Sequence, residues 1–210
     1  MFLIHTALPF EAHPIIRNLG LKQTGSPSGG RLYTDKEHQY ALLVSGVGGE
    51  KTRKTLKALY ERLRSRNLSI TKTLNIGLAA DPGKRFAIGT ALKISSVYRF
   101  NHQEPTFDLF TLNNDLSSAT LCTIDVPCSD PAVFTKSESI PLLDMEAWYF
   151  VDTLINSCDL SQSDICSIKV ISDYADEAPF HSSELAPIYD GTIDLLLQCI
   201  RKRKHIIDSL

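Results

Sequence analysis

The sequence contains no apolar run long enough to cross a bilayer, no excess of one charge, no Cys-X-X-Cys pair and no internal repeat. The opening run from Met1 to Ile4 is broken by His5 and soon meets Pro9 and Glu11, which is too short for a secretory core or a membrane span. A cytoplasmic protein without membrane contact is the expectation. With 22 Lys and Arg against 24 Asp and Glu, the formal net charge of -2 supplies no field to hold a polyanion. Nucleic acid is therefore not the expected partner. The five cysteines (Cys122, Cys128, Cys158, Cys166 and Cys199) are odd in number and lack zinc-ligand spacing, so they read as reduced, mostly buried thiols. Cys128, between Pro127 and Ser129, has no histidine close in sequence to activate it as a nucleophile. No turn-rich stretch is long enough to be a linker, and residues 1–210 are expected to form one domain.

What is present is the pattern of a soluble α/β protein. The chain is 43% hydrophobic and 22% charged, and its length suffices to bury about 70% of the surface of its unfolded form. Phe2 to Thr6 reads as a buried strand, followed by a helix over 11–19 with Pro14 in its first turn. After the Gly25–Gly30 turn, Arg31–Thr34 and Tyr40–Ser45 read as a hairpin. From Glu50 to Asn67, Leu56, Leu59, Tyr60 and Leu63 recur at helical spacing, with lysines and arginines on the other face. That basic face lacks interleaved aromatics and reads as a solvated surface. Strands are expected at 73–78, 90–97, 119–124 and 166–172, and helices at 145–157 and 183–204. Strand–helix alternation at both ends of a β-rich centre points to a mixed, largely parallel sheet with helices on both faces.

In such sheets the ligand pocket opens beyond the carboxyl ends of the strands, so acids that follow strands are the first candidates for chemistry. Three stand out: Glu11 after the first strand, Glu146 at a helix start, and Asp173 at the end of Lys169-Val170-Ile171-Ser172. Taken singly, each is also a charge that a helix end attracts.

Motifs spread over nearly the whole chain resemble those of the nucleoside phosphorylase/nucleosidase superfamily, most closely the 5'-methylthioadenosine/S-adenosylhomocysteine nucleosidases. They are Ala7-Leu8-Pro9-Phe10-Glu11-Ala12, Ser45-Gly46-Val47-Gly48, Asn75-Ile76-Gly77-Leu78-Ala79-Ala80, Phe86-Ala87-Ile88-Gly89, Asp144-Met145-Glu146-Ala147 and Ile171-Ser172-Asp173-Tyr174-Ala175-Asp176. The last two, in this order, are the specific part of the resemblance. It implies a three-layer fold around a mixed central sheet, no metal or organic cofactor, and a homodimer. It also implies roles: Asp173 protonates the purine at N7, Glu146 holds the ribose hydroxyls with Met145 against the sugar, and Glu11 orients and deprotonates water. Such chemistry serves both the positive charge building on the sugar and the negative charge building on the base. Phe134 stands where the family stacks its purine, and Phe180 where a side chain closes over the 5' group. Leu78 and Ala80-Asp81 replace smaller family residues beside the purine, which implies an altered slot.

The implied activity is hydrolysis of the N-glycosidic bond of a 5'-modified purine nucleoside. Within the enzyme class, futalosine or 6-amino-6-deoxyfutalosine, cleaved at the same bond in menaquinone biosynthesis, is an alternative substrate. Phosphorolysis is disfavoured because Pro9, Phe10 and Glu11 replace a phosphate-cradling loop, leaving Arg31, Lys51 and Arg53 as candidate phosphate ligands. A nucleoside-binding module without turnover is the alternative from a different class.

Overall fold

The computed structural model describes residues 1–100, 106–109, 116–127, 134, 140–175 and 185–194. The first half runs β1 (Phe2–Thr6), α1 (Pro9–Leu19), β2 (Lys22–Gly25), β3 (Arg31–Thr34), β4 (Tyr40–Val44), α2 (Gly49–Arg64) and β5 (Lys72–Ala80). The second runs β6 (Ala91–Arg99), β7 (Phe107–Asp108), β8 (Ser118–Thr123), β9 (Leu142–Asp144), α3 (Ala147–Cys158) and β10 (Ile165–Asp173), with a helical stretch, α4, over 185–194.

These strands form one mixed sheet in the order β10-β6-β8-β9-β5-β1-β4-β3-β2, with β7 on β6. β10 also pairs with β5, so β5, β10, β6, β8 and β9 close into a ring. β1, β4, β5 and β10 run parallel, with β1 between β4 and β5. Both faces are covered, as the periodicity predicts. Leu56, Leu59 and Leu63 of α2 and Trp148, Phe150 and Leu154 of α3 pack on one face, with Leu3 and Ile171 of the sheet. Ala12 and Ile15 of α1 and Tyr189 and Ile193 of α4 pack on the other, with Ile4, Ile76 and Val170. The side-chain alternation of β1 and β10 therefore feeds two cores at once. Lys51, Lys54, Lys57 and Arg64 of α2 are exposed, in line with a solvated basic face. Among the described residues, no helix is long and apolar enough to cross a membrane.

Three strands are absent from the sequence reading: β2, β7 and β9. β2 is a polar edge strand with exposed side chains, and the other two span only two and three residues. None is long enough or apolar enough to show a period.

Candidate active site

Glu11 owes its position to the start of α1. Leu8 is extended and Pro9 opens the helix with its fixed φ, so Glu11 falls in the first turn, where its carboxylate meets unpaired backbone donors. Its Oε2 accepts from Leu8 N at 2.7 Å and Ala7 N at 3.0 Å, and its Oε1 accepts from Leu78 N at 3.1 Å. Three of the roughly four acceptor positions of the carboxylate are thus occupied by protein donors. The side chain is buried, and burial raises its pKa even though those N–H groups and the charge of Lys169 oppose the shift.

At the other side of the site, the start of α3 is capped by a small polar cluster. Asp144 Oδ2 accepts from Ala147 N at 2.9 Å, and Thr123 Oγ1 accepts from Trp148 N at 2.9 Å while donating to Asp144 Oδ1 at 2.7 Å. This fixes the turn on which Met145 and Glu146 sit. Glu146 Oε1 accepts from Gly48 N at 2.7 Å. Gly46 and Gly48 have φ of 87° and 99°, a left-handed geometry that glycine adopts without strain and that lets the Ser45–Gly48 turn aim this N–H at the acid. Burial, reinforced by the neighbouring charge of Asp144, pushes the Glu146 carboxyl up to about 7.

Asp173 ends β10, partly buried. Its Oδ2 accepts from Ser172 Oγ at 2.6 Å and its Oδ1 from Ala175 N at 2.9 Å.

These side chains meet at one cavity of about 420 Å³, lined by Glu11, Leu78, Asp144, Met145, Glu146 and Asp173 among others. Val47, Ile124, Pro127 and Leu143 add an apolar wall. No Lys, Arg or His is among its described lining residues. The balancing cation lies just behind: Lys169 of β10, buried, with Nζ 2.8 Å from Asp144 Oδ2. Burial alone would lower its pKa, but the carboxylates of Asp144, Glu146 and Glu11 together outweigh that and raise it. Gly77 leaves room for this convergence, since a methyl group there would stand 3.3 Å from Glu11 Oε1 and 3.4 Å from Lys169 Nζ. Lys169 was missed as a site residue in the sequence, although one signal was available: a lone lysine inside a strand otherwise buried along its length.

Of the seven site residues expected from sequence, Glu11, Leu78, Met145, Glu146 and Asp173 line this cavity. Phe134 does not; it packs against Phe100 at 4.7 Å between ring centroids, in a cluster with Ile124 and Leu143. Phe180 lies outside the described residues, as do Cys128 and Cys199. Asp81 is not part of the wall either. Its carboxylate is turned away, accepting from Arg85 N and Phe86 N and pairing with the Arg85 guanidinium at 2.9 Å. Of the candidate phosphate ligands, Arg53 pairs with Asp152 at 2.9 Å, and Arg31 and Lys51 are exposed and off the cavity wall.

No protein-family model matches the chain, and no curated protein matches it by sequence. Solved structures match it over its full length. A 5'-methylthioadenosine/S-adenosylhomocysteine nucleosidase from Helicobacter pylori, complexed with butyl-thio-DADMe-Immucillin-A, is 15% identical with a TM-score of 0.74, covering 100% of this chain and 98% of that one. Futalosine hydrolase from the same organism is 17% identical with a TM-score of 0.70, covering 100% and 97%. A nucleosidase of the first type from Francisella philomiragia is 14% identical with a TM-score of 0.74, covering 95% and 98%. The chain has the nucleoside phosphorylase/nucleosidase fold.

Proposed function

We propose that the chain hydrolyses the N-glycosidic bond of a 5'-modified purine nucleoside, with Asp173 as the acid toward the purine, Glu146 as the anchor of the ribose hydroxyls and Glu11 as the base that activates water. The observation that carries this reading is the convergence of these three acids on one cavity, within a fold shared with nucleosidases. Glu11, held by the N–H groups of Ala7, Leu8 and Leu78 and lining the cavity, is where a water molecule would be oriented and deprotonated. Glu146, on the wall of the same cavity, accepts hydrogen bonds from the ribose hydroxyls once ionised, and Met145 packs against the sugar. Asp173, held by Ser172 and Ala175, gives its proton to the departing base, whose charge would otherwise build up unbalanced. Leu78 flanks the base and Phe180 contacts the 5' group, whereas Phe134, clustered with the wall residues Ile124 and Leu143, supports the wall instead of stacking on the purine.

Water rather than phosphate is the attacker in this reading, because a phosphate dianion would meet four acidic side chains and no cation on the described wall, the Lys169 ammonium behind it being paired with Asp144. The apolar wall of Val47, Ile124 and Pro127 favours an uncharged 5' substituent such as a methylthio group. A homodimer acting in the cytoplasm completes the reading.

The test is base release. The purified protein is incubated with methylthioadenosine, adenosylhomocysteine and 6-amino-6-deoxyfutalosine, each with and without phosphate, and free adenine is followed by chromatography. Adenine release from at least one of them, at a rate indifferent to phosphate, is expected; the 6-amino-6-deoxyfutalosine arm reads the menaquinone alternative. Nucleoside binding without release from any of the three overturns the proposal in favour of a binding module.

A further inference from the structure

We infer that His5 is a positioning residue for the sugar anchor, holding both partners of the Gly48–Glu146 hydrogen bond from inside the core. This rests on reading Glu146 as the group that takes the ribose hydroxyls.

His5 lies in β1, has no exposed surface and does not touch the cavity. Leucine or isoleucine would suit an interior strand position better unless the ring's polar atoms are used. Both are used. Nδ1 lies 2.9 Å from Asn75 Nδ2, and Nε2 lies 2.9 Å from Ser45 Oγ. The Ser167 hydroxyl donates to Asn75 Oδ1 at 3.1 Å, which turns the amide N–H group toward His5. An amide N–H can only donate, so Nδ1 accepts, and the ring proton sits on Nε2 and is given to Ser45. Burial, with the charge of Lys169 nearby, keeps the ring neutral by lowering its pKa to about 3. The tautomer is therefore fixed, and with it the direction of the hydrogen bond to Ser45.

From Ser45 the network continues into the turn that serves Glu146. Ser45 Oγ gives its single proton to Gly46 O at 2.9 Å, inside that turn, and packs 3.3 Å from Thr52 Oγ1, whose own proton goes to Gly48 O at 3.1 Å. Gly48 is the residue whose N–H meets Glu146 Oε1. The acid's own helix is held by the same ring. Phe150, one helical turn after Glu146 and bonded from its N–H to Glu146 O at 2.9 Å, stacks on His5 with centroids 4.9 Å apart and planes at 26°. One neutral imidazole thus grips the donor's turn through Ser45 and the acceptor's helix through Phe150. Shifting either by a few tenths of an ångström would lengthen the Gly48–Glu146 bond and swing the carboxylate in the sugar subsite.

The experiment compares three variants for methylthioadenosine hydrolysis and for binding of its 2',3'-dideoxy counterpart, which lacks the hydroxyls Glu146 would hold. His5→Leu is expected to raise KM about 10-fold with kcat within about twofold, while affinity for the dideoxy compound stays at the wild-type value. Because His5→Leu leaves the Asn75 amide without its partner in the core and can fail to fold, Ser45→Ala tests the same link from the other side. It is expected to raise KM about threefold, again without weakening the dideoxy compound. His5→Gln, which offers a donor to Ser45 and an acceptor to Asn75 but lacks the ring that stacks on Phe150, is expected to recover part of the loss in KM and to fall between wild type and His5→Leu. Wild-type KM in both His5→Leu and Ser45→Ala, or an equal loss of affinity for the dideoxy compound, overturns the inference. Failure of its premise is seen separately: if Glu146→Gln leaves KM unchanged, Glu146 does not hold the sugar, and the inference falls with it.

Discussion

A carboxylate that accepts three backbone N–H groups would ordinarily be an easy acid to ionise, yet burial pushes Glu11 the other way. Such a group has proton affinity to offer an attacking water, which is what a base in this position requires. Asp173 differs in setting: it is partly open to the cavity and fixed by a hydroxyl and an N–H rather than by a helix start. Asp173→Asn keeps the size and much of the hydrogen bonding but has no carboxyl proton to give. Turnover is expected to fall about 100-fold or more, with an unchanged melting temperature, as read by adenine release and thermal unfolding. Wild-type turnover in that variant removes Asp173 from the chemistry. For Glu146 the sign of a pH effect follows from its carboxyl at about 7 against an ordinary 4.5. The fold favours the protonated form, so its contribution to stability is complete below the ordinary value and is lost as pH rises toward about 7. Sugar binding runs oppositely, because only the ionised form accepts hydrogen bonds from both ribose hydroxyls. KM is expected to fall as pH rises through about 7 and to level off above it. A KM that is flat across that interval would show that Glu146 does not bind the sugar in its ionised form.

At the scale of elements, the site depends on how closely α2 approaches α3. Gly49, the first residue of α2, sits under the Tyr149 ring so tightly that a methyl group would lie 2.0–2.4 Å from three ring carbons. The ring has little room to retreat, because the Arg53 and Arg99 guanidinium groups lie 5.1 and 4.8 Å from its centroid. Gly49→Ala is therefore expected to cost about 1–3 kcal/mol, read as a lowered urea midpoint with an unchanged slope. A wild-type midpoint would mean that the two helices can separate freely. The sequence made the long elements legible, because their apolar periods are clear: β1 is as expected, α3 is shifted by at most two residues, and the hairpin and β10 differ by one or two. Two of the boundary shifts bear on the site. α1 begins at Pro9 rather than at residue 11, which is what brings Glu11 into reach of the Leu8 N–H, and β5 continues through Ala79 and Ala80 into the cavity wall. Motif likeness brought out the acids, whereas Lys169 and the partners of His5 were hidden, since strand pairing, not spacing along the chain, brings them together. His5 and Lys169 were nonetheless conspicuous as titratable residues in apolar runs.

At the scale of the whole molecule, the closure of β5, β10, β6, β8 and β9 into a ring decides what the cavity can hold. β5 supplies Leu78, β9 leads into Asp144, Met145 and Glu146, and β10 ends at Asp173, so acids far apart in sequence crowd one opening, with the Lys169 charge held against Asp144. That crowding repels a second anion and suits a ligand carrying partial positive charge on its sugar, the character of a ribosyl group losing its base. A cationic nucleoside analogue resembling that transition state should therefore stabilise the fold by mass action, by about 2.7 kcal/mol at 100 times its Kd, or about 5–10 °C in a chain of this size. Inorganic phosphate should leave the melting temperature and the rate of adenine release unchanged, and the sugar product should carry no phosphate ester. A phosphate-dependent rise in either quantity, or a ribose 1-phosphate product, would show that the carboxylates do not set the field of this cavity, and the attacking group would have to be reassigned from water to phosphate.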